Sequence, residues 1–304
     1  MSPTIKRFES PADPSFVIER RDGELRGPFR GSRNEALEME GSIHENATAE
    51  RLGFRGGTVA GSIHMELFPP LLLEAFGPRW FERGTLSLYF RNATVDRELV
   101  RGCVQEPAGE GDGQVAVRVE REDGLLVGDG TASVGEPDDR TALGQRELQP
   151  FPPGELKILE GIAPGRTLGE HESCVTAERQ RQRLPVITEV LDWYREGSPW
   201  GGPVLTPASA VELLYGGPAV ELGSRLESAV ALFSAIELRH FNGPPLADQS
   251  YRVTGTVLAV GQSPKTEYVW FDTEARDDDG TLVAGMRMQL RWMKASSDLY
   301  SEGR

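Results

Sequence analysis

One strand pattern occurs twice along this chain, and any fold has to accommodate both copies. The first copy runs through Gly84–Val95 (GTLSLYFRNATV), Leu99–Gln105, Val115–Arg121 and Leu125–Val134. These segments are rich in β-branched and aromatic residues or alternate apolar with polar, as half-buried strands do. The second copy runs through Ala235–Asn242, Gln249–Ala259, Glu267–Ala275 and Leu282–Met293. Each series enters its last strand through an Asp-Gly pair, Asp123-Gly124 in one and Asp279-Gly280 in the other, and Asp-Gly is a strong signal for a two-residue hairpin. Phe90-Arg91-Asn92 falls on Phe241-Asn242, and Gly56-Gly57-Thr58-Val59 falls on Gly201-Gly202-Pro203-Val204. The spacing between matched landmarks grows slowly toward the C-terminus, as small loop insertions after a duplication would make it.

Each copy reads as a short helical region, a Gly-Gly turn, a helix and an antiparallel meander. In the first, the helix spans roughly Gly61 to Phe76, with Met65, Phe68, Leu72 and Phe76 on one face. Pro69-Pro70 must kink or split it, because each proline removes a backbone donor. In the second copy the helix is Pro207 to Tyr215, with Pro207 suited to its first turn. The stretch Gly135–Gly165 is rich in Pro, Gly and charge and reads as a connector with little regular structure. The expected division is 1–138, a linker over 139–165, and 166–304, in an α+β class. Periodicity alone does not choose among α+β arrangements.

Composition narrows the partners. A net charge of −14 disfavours nucleic acid, whose phosphates need a surplus of Lys and Arg. No stretch approaches the length of apolar residues that a membrane helix requires. Lys6 and Arg7 are not followed by the apolar run of a secretory leader. The two cysteines, Cys103 and Cys174, have neither metal-ligand nor disulfide-framework spacing, so a reducing cytoplasm is the expected setting. The four histidines, His44, His64, His171 and His240, are dispersed, and no metal site is expected. No Gly-x-Ser-x-Gly elbow supports a serine nucleophile.

A more specific pattern lies in the order of short motifs. Ile43-His44-Glu45-Asn46 leads into Ala47–Gly57 (ATAERLGFRGG), followed by Val59-Ala60-Gly61. In the second copy, Val175–Arg179 (VTAER) and Trp193–Gly202 (WYREGSPWGG) stand in the corresponding places. Leu88-Tyr89-Phe90-Arg91 and Leu238-Arg239-His240-Phe241 match the strand after the helix. In combination these resemble the MaoC-like hydratases and dehydratases, the (R)-specific enoyl-CoA hydratase family. The resemblance implies a tandem (double) hot-dog fold, each half a helix wrapped by a curved antiparallel sheet. It also implies acyl-thioester chemistry, with coenzyme A entering only as part of the substrate and no separate cofactor. Active members carry an aspartate five residues before the histidine, and here that position is Met39. In the second copy the histidine position falls on Tyr194, with Glu189 five residues before it.

The candidate residues follow from that comparison. His44 suits general acid–base transfer because imidazole titrates near working pH; Glu40 is placed to orient it. His64, one turn into the helix, is expected to face the same pocket and to share acid and base roles or replace the missing aspartate. Gly61 would present a helix N-terminal N–H to a developing enolate oxygen. Tyr194, Arg91 and Arg239 are candidate substrate-binding residues, the arginines for a phosphate. Each also has a plain structural reading: helix-entry or core histidine, packing glycine, solvated acid, core aromatic, surface strand arginine. The expected activity is a hydro-lyase of departed dyad whose first half does the chemistry and whose degenerate second half shapes the acyl tunnel. Two other readings stand beside it: a thioesterase using Glu66 or Glu40, and a non-catalytic binder of acyl or other small ligands. The hot-dog edge also permits a homodimer, although two copies in one chain can satisfy that pairing internally.

Overall fold

The computed structural model describes residues 17–109, 111–136, 140–149, 151, 155–186, 191–222 and 229–300. In the first half they form β1 (Glu19–Arg21), β2 (Glu24–Arg26), β3 (Arg30–Gly31), α1 (Asn46–Arg51), α2 (Gly61–Met65), α3 (Pro69–Phe76) and α4 (Arg79–Arg83). The first meander follows as β4 (Gly84–Phe90), β5 (Leu99–Gln105), β6 (Gly113–Arg121) and β7 (Leu126–Val134). The second half contains β8 (Thr167–Ser173), α5 (Ala177–Arg183) and α6 (Pro207–Val220). Its meander is β9 (Ala231–His240), β10 (Tyr251–Gln262), β11 (Thr266–Arg276) and β12 (Leu282–Met293).

All the strands join one 12-stranded sheet in the order β1-β2-β5-β6-β7-β4-β9-β12-β11-β10-β8, with β3 on β5. Read outward from the central β4–β9 pair, both halves have the same order: β4-β7-β6-β5-β2 on one side and β9-β12-β11-β10-β8 on the other. The antiparallel β4–β9 pair runs from Thr85↔Arg239 to Tyr89↔Ala235. The edge that a single hot-dog unit would leave open is thus closed by the other copy.

Backbone hydrogen bonds fix which residues are equivalent. Arg91 N–H donates to Val127 and Phe241 N–H to Val283, both at 2.8 Å. The Asn92 amide donates to the Leu126 carbonyl just as Asn242 does to Leu282. Arg91 therefore corresponds to Phe241, so matching Phe90 to Phe241 is one residue out of register. Likewise Thr58 N–H donates to Ile43 and Val204 N–H to Trp193. That places Tyr194 where His44 stands, as the motif order implies, and matches Thr58, not Val59, to Val204. The Asp-Gly hairpins are also equivalent, but they are not two-residue turns. Gly124 and Gly280 sit at φ of 84° and 82°, and Arg121 and Asp277 bridge to Leu125 and Thr281. This is the three-residue loop in which a left-handed glycine forms the bulge.

Helices α2, α3, α4 and α6 pack against the sheet. The chain splits at Pro69-Pro70, as expected, into α2 and α3, and Met65, Phe68 and Leu72 of that stripe are fully buried. The second helix is longer than its sequence promises. It continues through Gly216-Gly217 to Val220 because α6 packs along β8 and across β9–β12, and tertiary packing outweighs two weak helix formers. The first strand is shorter than expected: the chain leaves the sheet after Phe90, and Val95 returns only as a bridge to Thr58. The linker is irregular but not loose. Leu156, Ile158, Leu159 and Ile162 are buried, and the buried Glu267 carboxylate accepts hydrogen bonds from the N–H groups of Lys157, Ile158 and Leu159 and from the Tyr300 hydroxyl. Nearer the centre, Leu143 packs with Ala235, Ala259 and Trp270.

Candidate active site

A cavity of about 500 Å³ opens in the first half. The 39–44 loop, Phe54, the Thr58–Gly61 turn, His64, and Phe90–Thr94 form one side. Tyr215 and the segment 229–233 form the rest, so the second half supplies part of the wall. His44, His64, Gly61, Glu40 and Arg91 all border this cavity; Tyr194 and Arg239 do not.

The sequence builds the His44 corner through a close backbone crossing. Thr58 N–H donates to the Ile43 carbonyl, the Asn34 amide donates to the His44 carbonyl at 2.8 Å, and Asn46 Oδ1 accepts from Gly57 N–H at 2.8 Å. A Cβ on Gly57 would lie 2.0 Å from the His44 carbonyl oxygen, so only glycine permits the crossing. The His44 ring lies 2.7 Å from the Thr58 carbonyl through Nδ1. A carbonyl can only accept, so Nδ1 carries the proton, and in the neutral ring Nε2 holds the lone pair. The orienting partner is therefore the Thr58 carbonyl rather than Glu40. Met39, five residues before His44, is exposed and contributes no carboxylate.

His64 is differently placed. It is buried, with Nε2 2.9 Å from the Thr94 hydroxyl and Nδ1 3.5 Å from that of Ser32. Burial pushes its imidazole down to about 4, against a weaker pull upward from Glu98. A ring held neutral across the physiological range is a poor proton donor, which argues against dividing acid and base roles between the two histidines. Gly61 opens a helix of a single turn, so whatever polarisation it offers comes from its own N–H and not from a long aligned dipole. A Cβ there would come 2.5 Å from the Phe90 ring, and that ring, not a ligand alone, demands glycine. Glu40 is an exposed rim residue. Arg91 is held by Asp129 at 2.5 Å and lies over the Tyr89 ring, so it is not a free phosphate ligand.

The corresponding place in the second half is filled. Pro207 stands at the position of Gly61, Ala210 at that of His64 and Tyr194 at that of His44. Trp80 and Phe81 reach across from α4 and pack with His240, while Phe81 also meets Trp193 and Trp200. What remains, between Trp80, Phe81, Leu205, Pro207 and Ala210, is a void of about 10 Å³. Tyr194 is buried, with no hydrogen-bond partner for its hydroxyl among the described residues. Arg239 lies outside, bound to the buried Glu237. Glu189 lies outside the described residues.

Glu66 belongs to this packed region and not to the cavity. Its Oε1 accepts from the Ala208 N–H of α6 at 2.7 Å, and its Oε2 has no partner among the described residues. Burial pushes the carboxyl up to about 8, with the Ala208 N–H, the Thr206 hydroxyl and Arg183 pulling it back. The group is protonated in the fold and ionised in the unfolded chain between its ordinary 4.5 and about 8. Its contribution to stability is thus complete below the lower value and is lost as pH rises through the upper one. Glu66→Gln should flatten that slope: between pH 5 and pH 9 the variant is expected to gain on the parent by about 1–5 kcal/mol. Denaturant melts at both pH values check this, and parallel slopes would refute it.

Sequence reasoning missed the partners of His64 (Thr94 and Ser32), the Thr58 carbonyl, and the Tyr215 and 229–233 wall. Thr58 lies within the quoted Gly-Gly motif, but that its carbonyl orients a ring depends on a crossing with a segment 14 residues earlier. Among the described residues no group of His, Cys, Asp or Glu could hold a metal ion, and no helix is long and apolar enough to cross a membrane.

No protein-family model matches the sequence, and no curated protein matches it. Solved structures do. A MaoC domain protein dehydratase from Chloroflexus aurantiacus J-10-fl is similar with a TM-score of 0.59 at 12% identity, over 93% of this chain and 99% of that one. A Mycobacterium tuberculosis protein described as having a double hot-dog fold is similar with a TM-score of 0.51 at 12% identity, over 84% of this chain and 90% of that one. A MaoC-like dehydratase is similar with a TM-score of 0.50 at 12% identity, over 86% and 95%. With the strand order and the internal pairing of the copies, these likenesses identify the fold of this chain as a double hot-dog, the fold of the MaoC-like dehydratases.

Proposed function

We propose that the chain is a hydro-lyase that adds water to, or removes it from, an acyl thioester or another carbonyl-activated small molecule. One observation carries this reading: His44 borders an open cavity with its Nδ1 proton committed to the Thr58 carbonyl, leaving Nε2 as a base. In the hydration direction, Nε2 takes a proton from water as the oxygen bonds to the β-carbon. The double-bond electrons move toward the carbonyl oxygen, where the Gly61 N–H can donate. The imidazolium then returns its proton to the α-carbon, and dehydration is the reverse. The reaction is redox-neutral and consumes no cofactor; coenzyme A would enter as the thiol of the substrate.

The thioesterase reading loses one of its two candidate acids, because Glu66 is buried, protonated and turned to α6. The test is a panel of enoyl- and 3-hydroxyacyl-coenzyme A thioesters, followed by loss or gain of enoyl absorbance. Reversible hydration is the expected result. Release of free thiol would instead favour hydrolysis through Glu40, and tight binding without turnover would favour a carrier or binder.

A further inference from the structure

The wall supplied by the second half contains a polar group that the proposed chemistry does not use. Tyr215 lies in α6, far along the helix from its N-terminus, and its ring meets Phe233 edge-on at 5.4 Å. Around it the segment 229–233 presents Ala229, Val230, Leu232 and Phe233 to the cavity. Burial raises the phenol above its ordinary range, and no neighbouring charge or donor contributes. Its hydroxyl makes no hydrogen bond to the described residues, yet it is not among the polar atoms sealed from solvent. The phenol is therefore protonated, and as a half-buried residue of the cavity wall it has a donor to offer to what fills the cavity.

The ligand that fills the cavity decides what the phenol costs. A purely hydrocarbon chain would leave a buried donor without an acceptor, whereas a chain bearing an oxygen at that depth would recover the bond. We infer that Tyr215 is a specificity-determining residue, donating to an oxygen substituent on the acyl chain beyond the reacting carbons. The preferred substrate class is then a hydroxylated, keto or ether-bearing acyl thioester, not a plain fatty acyl one. This inference rests on the acyl-thioester reading of the cavity.

The test is calorimetric binding of octanoyl-coenzyme A against a series of hydroxyoctanoyl-coenzyme A isomers with the hydroxyl moved along the chain, on the full-length protein. The best isomer is expected to bind about tenfold tighter than octanoyl, the equivalent of one net hydrogen bond. Tyr215→Phe should abolish that preference by weakening the hydroxylated ligand while octanoyl binds as well or better. If every isomer binds like octanoyl, or if the Phe variant keeps the preference, this inference falls and the acyl-thioester reading stands. If no thioester binds at all, both fall together.

Discussion

Changing His44 to glutamine is expected to lower turnover of the best thioester by about 100- to 10,000-fold, the usual contribution of a positioned general base. Affinity for the same thioester should change little, because the amide keeps a polar side chain in the corner and the apolar walls are untouched. The tautomer of His44 sets this expectation. Only one ring nitrogen of His44 is free to accept a proton, since the other is held at 2.7 Å by a carbonyl that cannot donate. His64 cannot take over the donor role easily, because burial holds it neutral down to about 4. Single-turnover rates and binding, measured on the same samples, separate loss of chemistry from loss of binding. A glutamine variant that turns over like the parent would remove His44 from the mechanism.

Ala231→Trp should close the site without unfolding the protein. The second half shows how such closure works: Trp80 and Phe81 precede β4 much as Val230 and Ala231 stand at the start of β9, and they reduce the equivalent space to about 10 Å³. Ala231 lines the open cavity, so an indole there would occupy space that is now empty rather than displace a packed core. A ligand forced to share what remains would lose about 1–3 kcal/mol, which corresponds to binding weakened about ten- to hundredfold. Thermal stability should hold or rise. Calorimetry with the best-binding thioester, beside a melting curve, checks both halves of the expectation. Unchanged affinity would mean that the ligand sits elsewhere.

The fold was largely legible in the sequence because repetition is a long-range signal that single residues do not carry. The Asp123-Gly124 and Asp279-Gly280 turns, the alternating strands and the Pro69-Pro70 break all act locally, and each appears where it was expected. Register was less legible: two phenylalanines, Phe90 and Phe241, look alike in sequence, but only backbone hydrogen bonds show that Phe241 corresponds to Arg91. The site was half legible. His44, His64 and Gly61 share a cavity because they belong to one ordered motif. Tyr215, Val230 and Phe233 carry no motif, and they reach the cavity only because α6 and β9 of the other copy fold over it. Tyr194 could be placed at the position of His44 from sequence, but the packing of Trp80 and Phe81 that fills the equivalent space could not.

The β4–β9 pairing joins two unequal sites within one polypeptide. In a homodimer of identical single units, every substitution appears at both sites at once, so a tryptophan that fills one pocket fills the other. Here each site has its own codons. One could trade its cavity for a packed aromatic core, while the other kept small residues at its mouth and stayed open.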